Sequence, residues 1–357
     1  MNERRVLLEC GPSYRDSQPF LPTSFPDMDG NSRRHWIGFD LGGTKMMAAV
    51  FDEDFRLRGR KRRKTKGNEG PKAGMDRIQE TIFNALEEAG VDKKEVAGIG
   101  VGCPGNIDLE KGTILDSANL SWKNVHIQEI LERTLGVPAV IVNDVDAGVY
   151  GEYRFGAGKG ARCLVGVFPG TGIGGGCVYD GEIIRGKNMS CFEIGHVQVN
   201  PQGLVCGCGR RGCLETEASR LAIAAAAAMA AFRGEAPHLA KIAGTDVAAI
   251  RSGALAEAIK AGDKIVEQIV GRAGELIGQV IGDVVNLMAP DVVVLGGGLV
   301  EAMPELLVHA AEEGAKRRAA PPFAKAYKIV AGKLGDDAVA RGAAAWAERH
   351  CAESSEK

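Results

Sequence analysis

His196, Cys206, Cys208 and Cys213 fall within the single string EIGHVQVNPQGLVCGCGRRGCLE. Three thiolates and one imidazole make up a closed tetrahedral zinc shell, and the glycines between the thiols allow the tight loop that such ligation requires. Buried free cysteines are the alternative use of the same residues. Four protein ligands leave no open position for water, so the zinc chemistry implied is architectural rather than hydrolytic. Glu193 and Glu215 bracket the cluster, where a metal loop would fix the orientation of carboxylates aimed at a ligand. The plain alternative for either glutamate is surface charge.

Three glycine-rich turns each follow an apolar run: DLGGTK at 40–45, GTGIGGG at 170–176 and GGG at 296–298. Glycines there expose backbone N–H groups and let an anion come close. None has the GxxxxGK[ST] spacing of a P-loop or the GxGxxG-to-helix setting of a dinucleotide fold. Each turn alone is compatible with a structural role. Together, with hydroxyls from Thr44 and Thr171 and the carboxylate of Asp40, they favour a nucleotide-phosphate site with Mg²⁺, a hard cation that needs few protein carboxylates beside phosphate oxygens. Asn143 and Asp144 follow the apolar run PAVIV, at what would be the carboxyl end of a strand, where ligands of open α/β sheets sit. An aspartate so placed can take a proton from an attacking hydroxyl. It can equally cap the helix that follows, and both readings stay open.

The elements that must carry these groups alternate. Apolar residues on either side of a Gly-Gly turn in WIGFDLGGTKMMAAVFD predict strand, turn and strand from Trp36. A helix is expected from Met75 to the Gly90 cap, then a strand in VAGIGVGCPG, an amphipathic segment over 127–135, the strand PAVIVND and a helix over 145–153. A second unit opens with the strands of ARCLVGVFPGTGIGGGCVYDGEII. It continues through a helical region over 217–287, whose Ala-rich run 221–232 reads as buried helix, and a strand in DVVVLGGGLV, to a terminal helix in DAVARGAAAWAERH. This alternation predicts an α/β fold with layered sheets. Residues 1–34, with four prolines and no period, read as a loosely ordered leader.

Glycine makes up 49 of 357 residues, about twice the usual share of ~7%. The formal net charge of −2 argues against a general polyanion binder. Eight lysines and arginines between Arg56 and Lys66 are therefore read as one solvated face of a strand rather than a nucleic-acid patch. Nine scattered cysteines, the absence of a secretory apolar core at the start and a longest apolar run of twelve residues suggest a cytoplasmic chain without a membrane span.

The motifs DLGGTK, GCPGNID, ANLSW, IVNDVDAGVYGE, PGTGIGGG, EIGH, CGCGRRGCLE and VVVLGGGL, in this order, resemble those of the ROK family (repressor, open reading frame, kinase), and most closely its bacterial glucokinase branch. The resemblance runs from Trp36 to the C-terminus. It implies a two-domain actin/hexokinase-like (ribonuclease H-like) fold with a cleft. The small domain would span 36–144 plus about 336–357, and the large domain 145–335 with its zinc loop at 196–213. It further implies ATP-dependent phosphorylation of a hexose 6-hydroxyl, with glucose the expected sugar, and a homo-oligomer, dimer or tetramer. By the same likeness Asp40, Gly42, Gly43, Thr44 and Lys45 form the first phosphate turn, Gly170, Thr171 and Gly172 the second, and Gly296, Gly297 and Gly298 lie near the adenosine. Asp144 is the base. Asn119, Asn143, Glu193, His196 and Glu215 bind sugar hydroxyls, and His196 also ligates zinc with Cys206, Cys208 and Cys213.

The chain departs from the family pattern in SCF before EIGH, in Asp146 where Asn is common, and in Pro169 before the second turn. Kinases for fructose, mannose, N-acetylmannosamine or N-acetylglucosamine share the implied mechanism. A sugar-responsive regulator is the remaining alternative, but the leader has neither the length nor the period of a helix-turn-helix domain, so no nucleic-acid partner is expected.

Overall fold

The protein is described from a computed structural model covering residues 34–117, 119–187, 189–323 and 325–352; all of the expected leader but Arg34 lies outside the described residues. β1 (His35–Leu41) and β2 (Lys45–Phe51) pair antiparallel on either side of the first glycine turn, as the pattern predicts. Successive side chains leave a strand on opposite faces. On β2, accordingly, Met46, Ala48 and Val50 enter one core while Met47, Ala49 and Phe51 enter another.

β3 (Leu57–Lys64) is the edge of this sheet and corrects the reading of the basic run. Charge occupies both of its faces, since Arg60 and Arg62 reach Asp337 and Asp336 while the alternate residue Arg63 meets Glu80. An edge strand leaves room on both sides for charged side chains. α1 (Pro71–Ala89) starts four residues before the expected position, because Pro71 suits the first helical turn, and stops at Gly90 with φ 66°.

β4 (Val96–Cys103) leads to a small antiparallel sheet of β5 (Asn106–Asp108), β6 (Thr113–Ser117) and β7 (Trp122–Val125). Next come α2 (Ile127–Leu135), β8 (Ala139–Asn143) and α3 (Asp144–Phe155). The first sheet has the order β3-β2-β1-β4-β8, with β1, β4 and β8 parallel.

The second sheet contains β9 (Cys163–Pro169), β10 (Ile173–Tyr179) and β11 (Glu182–Ile183). The expected helical region is divided into α4 (Leu214–Ala218), α5 (Arg220–Phe232), α6 (Pro237–Ala243), α7 (Ser252–Ala261) and α8 (Lys264–Met288). α5 is not wholly buried. Ile223, Ala224 and Ala227 face the core, whereas Leu221, Met229 and Phe232 are exposed. Its uniform apolarity hid a two-sided environment. β12 (Val292–Leu295), α9 (Gly298–Ala302), α10 (Pro304–Arg318), β13 (Lys328–Ala331) and α11 (Ala338–Ala352) complete the chain. The strand order is β11-β10-β9-β12-β13.

α3 and α11 are shared by both sheets. A single core joins Met47 and Phe51 of the first sheet, Leu164, Val178 and Val294 of the second, and Tyr150 and Trp346 of the two helices. α11 lies directly on glycine: a Cβ on Gly38 would fall 1.8 Å from the Ala340 carbonyl oxygen, and one on Gly100 1.8 Å from that of Ala343. Gly98, Gly100 and Gly102 alternate along β4 with Ile99, Val101 and Cys103, which point into the opposite core. Among the described residues no helix is long and apolar enough to cross a membrane.

Candidate active site

The parallel strands β1, β4 and β8 bring Asp40, Cys103 and Asp144 to one carboxyl edge, the position where α/β sheets hold ligands. Burial raises the pKa of Asp40 to about 7, with the Asp144 charge adding to the effect and Lys45 opposing it. Asp144 is raised as well, first by burial and then by Glu193, against a hydrogen bond from the Val145 N–H. A carboxylate made more basic is better matched to accepting a proton near neutrality. The structure also separates the two readings of the Asn143–Asp144 pair. Asn143 is the helix cap, its Oδ1 accepting from Val145 N at 2.9 Å and Asp146 N at 3.2 Å, and Asp144 is the first helical residue. Asn143 therefore keeps its amide N–H groups for a ligand.

A cavity of about 420 Å³ opens beside this edge, lined by Gly105, Asn106, Ile107, Leu109, Asn119, Asn143, Met189, Ser190, Glu193 and His196, a size in the range of small-ligand sites. Four of the five residues expected at a sugar thus line one cavity. Glu215 is not among them: its Oε2 accepts from Ile173 N at 3.1 Å, and a Cβ on Gly172 would lie 2.2 Å from that oxygen. Glu215 braces the second glycine turn instead, with Oε1 at 3.9 Å from the Cys206 sulfur. The small sheet supplies Asn106 to the cavity and the segment after β11 supplies Met189 and Ser190. Asn106 stands in GCPGNID and Ser190 opens SCF, but neither string marks which of its side chains meets a ligand, and Met189 belongs to no motif.

The first turn is closed by necessity. A Cβ on Gly42 would sit 2.6 Å from the Lys45 carbonyl oxygen and one on Gly43 3.0 Å from Asn119 Cβ, so this turn abuts a cavity residue. The second turn is bridged by Gly170 N–H to the Gly172 carbonyl at 2.8 Å. Arg220, at the start of α5, donates from Nη2 to Thr171 Oγ1 at 3.2 Å and from its backbone N–H to the Gly170 carbonyl. This arginine places a guanidinium beside the turn, and its only sequence signal was its position five residues after Glu215. Gly296 and Gly297, with the latter at φ 84°, line a separate cavity of about 410 Å³ with Phe168, Val300, Glu301 and Gly335. Lys45 forms an ion pair with Asp336 at 3.0 Å, and Arg62 pairs with the same carboxylate.

His196, Cys206, Cys208 and Cys213 converge, with their donor atoms all within 4.8 Å of one another. The Cys208–Cys213 sulfur separation is 3.7 Å and the Cys206 sulfur to His196 Nδ1 separation 3.5 Å. With Zn–S of about 2.3 Å and Zn–N of about 2.0–2.1 Å, the edges of a zinc tetrahedron are about 3.8 Å and 3.6 Å. The residues fit the ion. The loop is held by Cys206 N–H to Arg210 O at 2.7 Å and Gly212 N–H to Leu204 O at 2.9 Å. Gly212, at φ 65°, has no room for a side chain, since a Cβ would lie 1.4 Å from the Asn200 carbonyl oxygen. His196 belongs both to this cluster and to the cavity wall.

The family model described as the ROK family matches residues 36–350. A glucokinase of Thermotoga maritima is 34% identical over 309 residues, covering 86% of this chain and 95% of that one. An N-acetylmannosamine kinase of Citrobacter koseri is 31% identical over 312 residues, covering 86% and 98%. The crystal structure of a ROK family glucokinase from Streptomyces griseus, in complex with glucose and AMPPNP, superposes with a TM-score of 0.78 at 30% identity, covering 88% of this chain and 99% of that one.

Proposed function

The chain belongs to the ROK family, and from that premise we propose that it transfers a phosphoryl group from ATP to the 6-hydroxyl of a hexose, with glucose the preferred acceptor. The observation that carries this is the placement of Asp144 beside a cavity lined by Asn119, Asn143, Glu193 and His196, with two glycine turns nearby in which Gly42 and Gly172 leave no room for a Cβ. Relatives named glucokinase support the choice of sugar. The N-acetylmannosamine kinase relative supports an amino sugar as the second reading.

In this reading the cavity amides, Glu193 and His196 pair with sugar hydroxyls. A site built to pair hydroxyls rejects analogues that lack them. Asp144 accepts the 6-hydroxyl proton as that oxygen bonds to the terminal phosphorus, and the bond from phosphorus to the bridging oxygen breaks to leave ADP. The turns at Gly42–Thr44 and Gly170–Gly172 present N–H groups to phosphate oxygens, with Lys45 and Arg220 beside them. Asp40 would hold Mg²⁺ with those phosphates, and the ion would offset the charge on the transferred group. His196, Cys206, Cys208 and Cys213 would hold zinc, which would act at a distance from the chemistry by fixing His196 in the cavity wall. With domain boundaries near residues 144 and 336, as the resemblance implies, the reacting groups would lie in the cleft between the domains, where closure would exclude water as a competing acceptor.

The test is a coupled assay with Mg·ATP over glucose, mannose, fructose, N-acetylglucosamine and N-acetylmannosamine. Turnover is expected to be highest on glucose and to fall by at least ~10²-fold in Asp144→Asn, with sugar binding nearly unchanged, as for loss of a general base. Another best sugar would transfer the mechanism to that acceptor. Near-normal turnover in Asp144→Asn would remove the base assignment, and no phosphorylation of any sugar would remove the kinase reading.

A further inference from the structure

Glu152 stands in the last turn of α3, the end at which a carboxylate opposes the helix dipole, and it is 1% exposed. Both features cost stability unless its oxygens are bonded. Three backbone N–H groups meet them. Ala157 N donates to Oε2 at 2.7 Å, and Lys333 N and Leu334 N both donate to Oε1 at 2.8 Å. All three partners are donors, the set that a carboxylate accepts. Two glycines make room for it: a Cβ on Gly156 would lie 1.9 Å from Oε2, and one on Gly332 2.9 Å from Oε1. The bond to Ala157 is local, whereas Lys333 and Leu334 stand 181 and 182 residues further along the chain.

The distant pair belongs to the turn that leaves the carboxyl end of β13. β9, β12 and β13 run parallel, and at their carboxyl edge, where such sheets hold ligands, lies the cavity of about 410 Å³, with Gly296, Gly297, Lys333 and Gly335 in its wall beside Glu152. Gly332 N–H bonds to the Leu295 carbonyl at 2.8 Å, so β12 fixes the start of the turn and Glu152 fixes its middle. Its end carries Asp336, which pairs with Lys45 beside the first glycine turn at 3.0 Å. One buried carboxylate thus ties α3 to a turn that faces the second cavity and also reaches the first glycine turn.

We propose that Glu152 is a positioning residue for the phosphoryl donor: by holding Lys333 and Leu334 it fixes the wall against which the nucleoside of ATP packs, and it keeps Asp336 where it orients Lys45 toward the phosphates. The inference rests on the kinase reading. The Glu152 oxygens are turned to backbone donors, so its action on a nucleotide passes through the turn. Without the carboxylate, two adjacent N–H groups in this wall lose their acceptor, and the turn must rearrange to find others. The cavity proposed for the sugar has neither Glu152 nor any residue of this turn in its lining. Loss of Glu152 therefore acts on the donor and spares the acceptor.

The experiment compares the full-length protein with Glu152→Gln and Glu152→Ala. AMPPNP and glucose binding are followed by calorimetry, turnover by steady-state kinetics in ATP, and amide hydrogen exchange over 332–337 by mass spectrometry. Glutamine keeps one acceptor oxygen for Lys333 and Leu334 but sets an amide NH₂ against the Ala157 N–H, and alanine removes both acceptors. AMPPNP affinity is expected to fall about tenfold in Glu152→Gln, the size of one lost buried hydrogen bond, and further in Glu152→Ala, with glucose affinity unchanged in both. KM for ATP should rise more than kcat falls, and exchange over 332–337 should quicken in the order wild type, Glu152→Gln, Glu152→Ala. In the wild type, bound AMPPNP should slow exchange over the same residues, a measurement that needs no variant. Unchanged AMPPNP affinity in both variants, an equal loss of AMPPNP and glucose affinity, or no slowing of 332–337 by AMPPNP overturns the proposal. If the wild type binds no AMPPNP and phosphorylates no sugar while the variants loosen 332–337, the tie stands, and the kinase reading fails together with the role built on it.

Discussion

At the scale of single residues, two carboxyls carry a protonation signature. Asp40 and Asp146 are both raised to about 7 in the fold, chiefly by burial, against an ordinary aspartate value of ~3.9 when unfolded. Between those values the folded state holds protons that the unfolded state has lost, so stability falls as pH rises from about 4 to 7 and levels off above. Asp40→Asn should flatten this fall by a few kcal/mol at most, about 1.4 kcal/mol for each unit of pKa difference. Denaturant unfolding at pH 5 and pH 8 measures it; an unaltered slope would mean that Asp40 is ionised throughout. The sequence already pointed to Asp40 and Asp144 as chemical groups through their position after apolar runs. It could not divide the Asn143–Asp144 pair into cap and first helical residue, since either side chain can cap a helix. Nor could it show Glu215 turned toward Ile173 N, because that depends on where the second glycine turn lies in space.

At the scale of elements, the loop carrying the Cys/His cluster joins two parts of the candidate site. His196 stands in both the cluster and the cavity wall, and Glu215 reaches from the loop to the glycine turn. Cys208→Ser should lose zinc and with it about 10- to 100-fold of sugar affinity, the range found when groups that orient a site are removed. Metal content by mass spectrometry and sugar binding by calorimetry should fall together; full affinity in zinc-free protein would uncouple them. The convergence of His196 with Cys206, Cys208 and Cys213 was legible because cysteine and histidine spacing is a local property. The cavity was legible only in part. Asn106, Met189 and Ser190 reach it from segments whose neighbours are set by the pairing of β5–β7 and by the course of the chain after β11. The exposed side of α5 was illegible for a different reason, namely that an all-apolar helix has no polar face to mark the solvent. The strands around the first turn were plain, because alternation along β2 continues into two cores.

At the scale of the whole molecule, β1 and α11 are in backbone contact although Gly38 and Ala340 stand at opposite ends of the described chain. Translation proceeds at roughly 5–20 residues per second. The first sheet, complete once β8 ends at Asn143, is therefore synthesised roughly ten to forty seconds before the helix that covers its glycine face, and through that interval β1 and β4 present bare backbone, and β2 the apolar side chains of Met47 and Phe51, to whatever is near. Contacts so distant in sequence also slow folding after release. A circular permutant that places residues 338–352 ahead of residue 35 through a flexible linker should refold faster than the natural order and aggregate less during synthesis, as followed by stopped-flow fluorescence and soluble yield. Equal rates would mean that α11 docks after the slow step. The glycines that seat α11 thus leave the backbone of the first sheet without its cover until residues 338–352 have been made.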